Sequence, residues 1–140
     1  MKILVVDGQG GKLGTQIIKL LMNRYDDIEI TAIGTNSAAT QAMIKAGAKN
    51  VASGENPLIV ACRKSDVIIG PVGIVIADAL LGEITPAMAV AVAQSNAVRI
   101  LIPVNRCENI VAGVPDLAMP LLVEDAVAKF DEIKNKTLDK

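Results

Sequence analysis

Four glycines fall within seven residues near the start of the chain, Gly8-Gln9-Gly10-Gly11-Lys12-Leu13-Gly14. Where no Cβ intervenes, backbone amides can approach a ligand closely, and amides that open a helix carry partial positive charge. A phosphate is the ligand such a segment suits. Gly8 would make a tight turn, Gly10 and Gly11 would let backbone reach the phosphate, and Gly14 would let a helix pack on a strand. The spacing fits Gly8-x-x-Gly11-x-x-Gly14, because a Gly-x-Gly-x-x-Gly register would put Leu13 at the third glycine. A plain strand-to-helix turn would also use glycine, but four exceed what a turn needs.

A dinucleotide reading further expects a carboxylate roughly 20 residues on, at the end of a second strand, to hold ribose hydroxyls. The sequence has Gly34-Thr35-Asn36-Ser37 there, with Asp26, Asp27 and Glu29 at the opposite end of that strand. Without the acid a 2′-phosphate meets no repulsion, Thr35 and Asn36 could donate hydrogen bonds, and Lys12 could supply charge. The expected cofactor is therefore of the NAD(P) type, with NADP preferred over NAD. A ligand other than a dinucleotide is the alternative, and a helix cap explains Thr35-Asn36-Ser37 equally well.

Further polar and glycine residues end the other apolar runs and would share the same rim: Ser53-Gly54-Glu55-Asn56, Gly70-Pro71-Val72-Gly73 and Asn105-Arg106-Cys107-Glu108-Asn109. Candidate ligand contacts among them are Gly54, Asn56, Gly70, Pro71, Gly73, Asn105 and Arg106. The Arg106 guanidinium could clamp a phosphate or carboxylate, oriented by Asn105 or Asn109. Cys107 has no histidine to activate it, which weighs against a nucleophile. Asp78, expected inside an apolar helix, and Glu83, after Gly82, could each be a general base, a cap or a dimer contact; the structural roles are preferred.

These residues need a scaffold, and the hydropathy pattern supplies one. Strand-length apolar runs at Ile3 to Asp7, Glu29 to Gly34, Asn50 to Ala52, Val67 to Gly70 and Arg99 to Pro103 alternate with segments of helical period. Ile110 to Val114 gives a weaker sixth signal. Alternation of this kind predicts a three-layer, doubly wound, mainly parallel α/β sheet of 5-6 strands, Rossmann-like, in which ligands bind beyond the strand C-termini. Leu13, Ile17 and Leu21 mark the inner face of a first helix from Lys12 to Arg24. Asn56-Pro57 and Thr85-Pro86 read as helix caps followed by proline at the first helical position. Ser37 opens a short helix that Gly47 ends, and Pro120 opens the last. One domain over residues 1–134 is expected, with 135–140 a frayed tail.

Composition narrows the function classes. The chain has 140 residues, 51% hydrophobic but 1% aromatic, and a net charge of −1 with no run of one sign. Neither the basic footprint for duplex nucleic acid nor the aromatic platforms for single strands are present. The absence of histidine removes a His-based triad and any zinc site using it, and two cysteines set apart suit no metal. The N-terminal segment reaches Asp7 after Ile3-Leu4-Val5-Val6, too short an apolar run for a secretory signal, so a cytoplasmic location is expected. The run from Val67 to Leu81 is shorter than the roughly 20 residues of a membrane span and reads as buried core.

The glycine loop resembles that of short-chain dehydrogenases and nucleotide-sugar epimerases. Their Tyr-x-x-x-Lys pair is missing, since the sole tyrosine, Tyr25, precedes Glu29 by four residues. Over nearly its full length the chain resembles a family of short bacterial proteins classed as domain of unknown function 3842. The blocks that carry the likeness include Asp7 to Gly11, Gly34-Thr35-Asn36, Thr40 to Gly47, Gly54-Glu55-Asn56, Val67 to Pro86 and Ile102 to Cys107. The resemblance implies a small Rossmann-like fold and no assigned activity. The residues point to a nucleotide- or dinucleotide-binding module for a phosphate-bearing small molecule, expected as a homodimer through Ile74 to Leu81. The alternatives are an NAD(P)-dependent oxidoreductase or isomerase completed by a second chain, and an interaction subunit with a vestigial loop.

Overall fold

Alternate residues of the central strands are apolar on both faces, so the sheet must be covered on both sides. The computed structural model describes residues 1–104 and 109–140. Its elements, in order, are β1 (Lys2–Asp7), α1 (Lys12–Arg24), β2 (Glu29–Gly34), α2 (Ser37–Lys45), β3 (Asn50–Ser53), α3 (Glu55–Lys64), β4 (Val67–Pro71), a 3₁₀ turn (Val72–Val75), α4 (Pro86–Gln94), β5 (Val98–Ile102) and α5 (Met119–Leu138). The five strands form one parallel sheet in the order β3-β2-β1-β4-β5.

This is a three-layer Rossmann-like α/β fold. Ile3 and Val5 of β1 face α1, α2 and α5, whose Leu13, Ile17, Leu21, Met43, Val127 and Phe130 fill one core. Leu4 and Val6 face α3 and α4 and meet Leu58, Cys62, Met88 and Val92 in the other. The chain reverses direction of winding between β1 and β4, which sets the C-terminal ends of those strands around a crevice. Register places Asp7 beside Gly34 and Gly34 beside Ser53 along that rim.

Several expected boundaries hold and others shift for local reasons. Helix α1 has the expected limits. Thr85 caps α4 through a hydrogen bond from the Met88 amide at 3.2 Å, with Pro86 next. Helix α2 opens at Ser37 as expected, and Asn36 caps it by accepting the Ala39 amide at 2.8 Å. The Asn56-Pro57 start is corrected to Glu55, because Gly54 turns the chain with φ +97° and takes the cap position. The weak sixth strand is also corrected: 110–114 is irregular, with a turn at Ala112-Gly113 closed by the Val114 amide on the Val111 carbonyl at 3.4 Å. Helix α5 stays regular through Leu138, across most of the segment where fraying was expected.

Tyr25 and Phe130 meet edge to face with ring centroids 5.2 Å apart, pinning the end of α1 to α5. The tyrosine hydroxyl donates to Asp131 at 2.7 Å. Phe130 is fully buried, so Phe130→Ala should lower the free energy of unfolding by about 3–5 kcal/mol. Urea denaturation followed by circular dichroism tests this, and a loss below about 1 kcal/mol would show that the ring does not anchor α5.

Candidate functional site

Between β1 and α1 the chain must satisfy several helix-opening amides and a buried acid. It does both at once. The Asp7 carboxylate, at the buried end of β1, accepts the Gly8 amide at 2.8 Å and the Gly14 amide at 2.7 Å. Burial pushes its carboxyl above the ordinary value; the amides of Gly14 and Gly8 pull it back, and repulsion from Glu83 adds to the rise. The loop is closed by the Gly11 amide on the Gly8 carbonyl at 3.0 Å.

Packing accounts for three of the glycines, at the three-residue period that the sequence singles out. A Cβ on Gly8 would come within 2.6 Å of Thr35 Oγ1 and 2.8 Å of Leu80 Cδ1. One on Gly11, whose φ is +76°, would meet Ala39 Cα and Ala42 Cβ of α2 at 2.9 Å, so Gly11 faces a neighbouring helix. Gly14 lies 2.7 Å from Met43 Sδ by the same measure. Gly10 is different: it is exposed and a Cβ there would meet nothing. The amides of Gly10 and Lys12 donate to no group among the described residues.

Above the loop sits Glu83, carried by the segment between the 3₁₀ turn and α4. Its Oε1 accepts the Gln9 amide at 3.0 Å, the Thr35 hydroxyl at 2.8 Å and the Asn36 side-chain amide. Burial opposes its ionisation, but the hydrogen bonds from Asn36, Gln9 and Thr35 outweigh it and hold the carboxyl below its ordinary value. Its Oε2 has no partner among the described residues, which include no buried side-chain oxygen left without one, so Oε2 is reached by solvent. Asn36 also donates to the Gln9 carbonyl at 3.0 Å, joining β2, the glycine loop and Glu83.

The segment that delivers Glu83 is strained. Asp78, Leu80 and Leu81 all have positive φ, of 65°, 57° and 57°. The expectation of a helix around Asp78 is thereby corrected, since left-handed residues cannot continue one. Leu80 and Ile74 are buried in this chain's own core, and Leu81 is 95% exposed, so the expected dimer segment offers Leu81 but neither of those two. Gly70, Pro71 and Gly73, expected at the rim, are buried, with Gly73 packed against Ala79 and Leu80.

Of the other expected contacts, Leu13 is core, Lys12 is exposed at the start of α1, and Gly54 and Asn56 lie farther along, beyond β3. Asn105 and Arg106, with Cys107 and Glu108, lie outside the described residues. A separate cleft of 480 Å³ between α3 and α4 includes Cys62, whose thiol burial pushes up to about 11, beyond useful nucleophilicity at neutral pH. Among the described residues no helix is long and apolar enough to cross a membrane, and no cluster of three metal-ligating side chains occurs.

Residues 2–135 match the family described as Domain of unknown function (DUF3842). The chain belongs to that family. No curated protein matches the chain. Among solved structures it is similar to a dodecameric FMN-dependent Ubix-like decarboxylase from Escherichia coli O157:H7. The identity is 18% and the TM-score 0.46, over 92% of this chain and 75% of that one. A likeness of this degree bears on neither ligand nor reaction.

The sequence offers Glu83 only as a general base, a cap or a dimer contact, because its donors lie 47 to 74 residues away and no local pattern announces them. Because its folded carboxyl lies below the ordinary 4.5, its ionisation stabilises the protein above that pH, and the contribution is lost as pH falls through the folded value. Glu83→Gln should therefore cost about 1 kcal/mol at pH 7, the difference between charged and neutral hydrogen bonds, and the gap should close below pH 4.5. Thermal unfolding of both proteins across pH 3 to 8 measures it, with a pH-independent gap as the contrary result.

Proposed function

We propose that this domain is a nucleotide-binding module of NAD(P) type, with its ligand on the outer side of the glycine loop. The observation that carries this reading is a pairing of opposites at one rim. The amides of Gly10, just before α1, and Lys12, its first residue, have no partner among the described residues, and a pinned carboxylate with one free oxygen is held on the adjoining Gln9 amide. Amides with helix dipole behind them suit a phosphate, and a carboxylate suits a sugar hydroxyl. Gly10 gives the backbone the open approach a phosphate needs.

The donor set also narrows which amides take part. Gly8 and Gly14 already serve Asp7, Gln9 serves Glu83 and Gly11 closes the turn, so a phosphate would rest on Gly10 and Lys12, with the Lys12 ammonium nearby. Such a site supplies donors for a phosphate and an acceptor for a hydroxyl, which are binding groups. The reading is therefore binding, for sensing, storage or presentation.

Gly10 is the position at which to test it, because Gly11 variants would break packing against α2 whatever the ligand does. In isothermal titration with NAD⁺, NADP⁺, ADP and AMP, the wild type should bind at least one. Gly10→Asp, which sets a negative charge beside the free amides, should weaken that binding by roughly tenfold or more. Gly10→Ala should retain both stability and most affinity. Binding indifferent to Gly10→Asp, or absent for all four ligands, would remove this reading.

A further inference from the structure

Resting on that nucleotide reading, we infer that Glu83 is the residue that reads the ribose, and that it selects a free 2′-hydroxyl over a 2′-phosphate. The end of β2 lacks its own acid, having Gly34-Thr35-Asn36 there. The fold brings one from elsewhere. Glu83 reaches that strand end from the connection between β4 and α4, and the two polar residues of the β2 terminus, Thr35 and Asn36, hold it there. The Gln9 amide supplies the third donor, so the carboxylate spans the ends of β1 and β2.

The division of labour between its oxygens decides what it can recognise. Oε1 has three donors and no capacity to spare, whereas Oε2 has none among the described residues and is reached by solvent. A carboxylate so held offers a single, fixed acceptor. A sugar hydroxyl can donate to it; a phosphate ester at the same position brings like charge and no proton to donate at neutral pH. Its three anchors come from the backbone of Gln9 and two short side chains, so the free oxygen has little room to turn away. The preference for NADP drawn from the missing β2 acid is reversed once Glu83 stands in that place.

The same geometry contains its own rival, because Glu83 could instead occupy donors that a ligand needs. Titrations of wild type and Glu83→Gln with NAD⁺, NADP⁺, 2′-deoxy-ADP, ADP and inorganic phosphate separate the two. Wild type should prefer NAD⁺ to NADP⁺, and ADP to 2′-deoxy-ADP, by roughly tenfold in each case. Glu83→Gln should narrow the first ratio to about threefold or less, chiefly through a gain for NADP⁺. The comparison of ADP with its deoxy analogue uses wild-type protein alone, so it decides the matter even if the variant folds poorly. Equal affinities for NAD⁺ and NADP⁺, or a ratio untouched by the substitution, would overturn the role of Glu83 and leave nucleotide binding standing. A Gln variant that binds every nucleotide and inorganic phosphate more tightly would overturn it too, marking Glu83 as a competitor for the loop. Wild type that binds none of the five would remove the nucleotide reading itself.

Discussion

Burying the Asp7 carboxylate at the end of the central strand obliges the chain to supply donors there, since an unpaired buried charge costs several kcal/mol. The nearest donors are the amides that turn the backbone from β1 into α1, and Gly8 and Gly14 provide them. This fixes the inner surface of the loop. It also fixes, by subtraction, which amides remain on the outer surface. Gly10 and Lys12 are left without an acceptor among the described residues, because Asp7 takes the Gly8 and Gly14 amides, Glu83 takes Gln9 and the Gly8 carbonyl takes Gly11. The rim's electrostatics are thus two layers deep: a negative charge within, a row of amides around it, and a second negative charge, Glu83, above.

That arrangement explains why the two carboxylates differ. Asp7 is removed from water and repelled by Glu83, so protonation is favoured relative to an ordinary aspartate. Glu83 keeps one oxygen in water and gains three donors on the other, so ionisation is favoured instead. One acid fastens strand to helix, and the other stays charged and available at the surface. The contrast follows from solvent access and donor count alone.

Local signals made the scaffold legible and long-range ones hid the site. The first helix could be bounded from Leu13, Ile17 and Leu21, and the start of α4 from Thr85-Pro86, because period and capping act over a few residues. Asn56-Pro57 misled for the same reason: a good cap-and-proline pair lost to Gly54, whose positive φ turned the chain sooner. The glycines were recognised as special, yet the spacing could not say which ones faced a helix and which faced water. That depended on Ala39 and Ala42, small residues 28 and 31 positions beyond Gly11 that admit its backbone. Glu83 was one acid among several until Thr35 and Asn36 were seen to converge on it.

The strained segment that carries Glu83 is best understood by weighing its costs. Three non-glycine residues in left-handed conformation, Asp78, Leu80 and Leu81, cost roughly 1–2 kcal/mol each. Burial of Leu80 over Gly8 and of Ile84 in the α4 core returns roughly 1.5–3 kcal/mol apiece, a near balance. The ladder of the Asp78 amide on the Ile84 carbonyl and the Ile84 amide on the Ala79 carbonyl adds closure, but it would serve equally well with any side chain at position 83. The three hydrogen bonds to Glu83 are what tie this segment to the glycine loop and to β2, which makes the carboxylate the link between the strained turn and the rim. A chain that merely had to connect β4 to α4 could do so without left-handed leucines. Here the burial of Leu80 and Ile84 offsets them, and the turn so stabilised sets the Glu83 carboxylate on the Gln9 amide, Thr35 and Asn36.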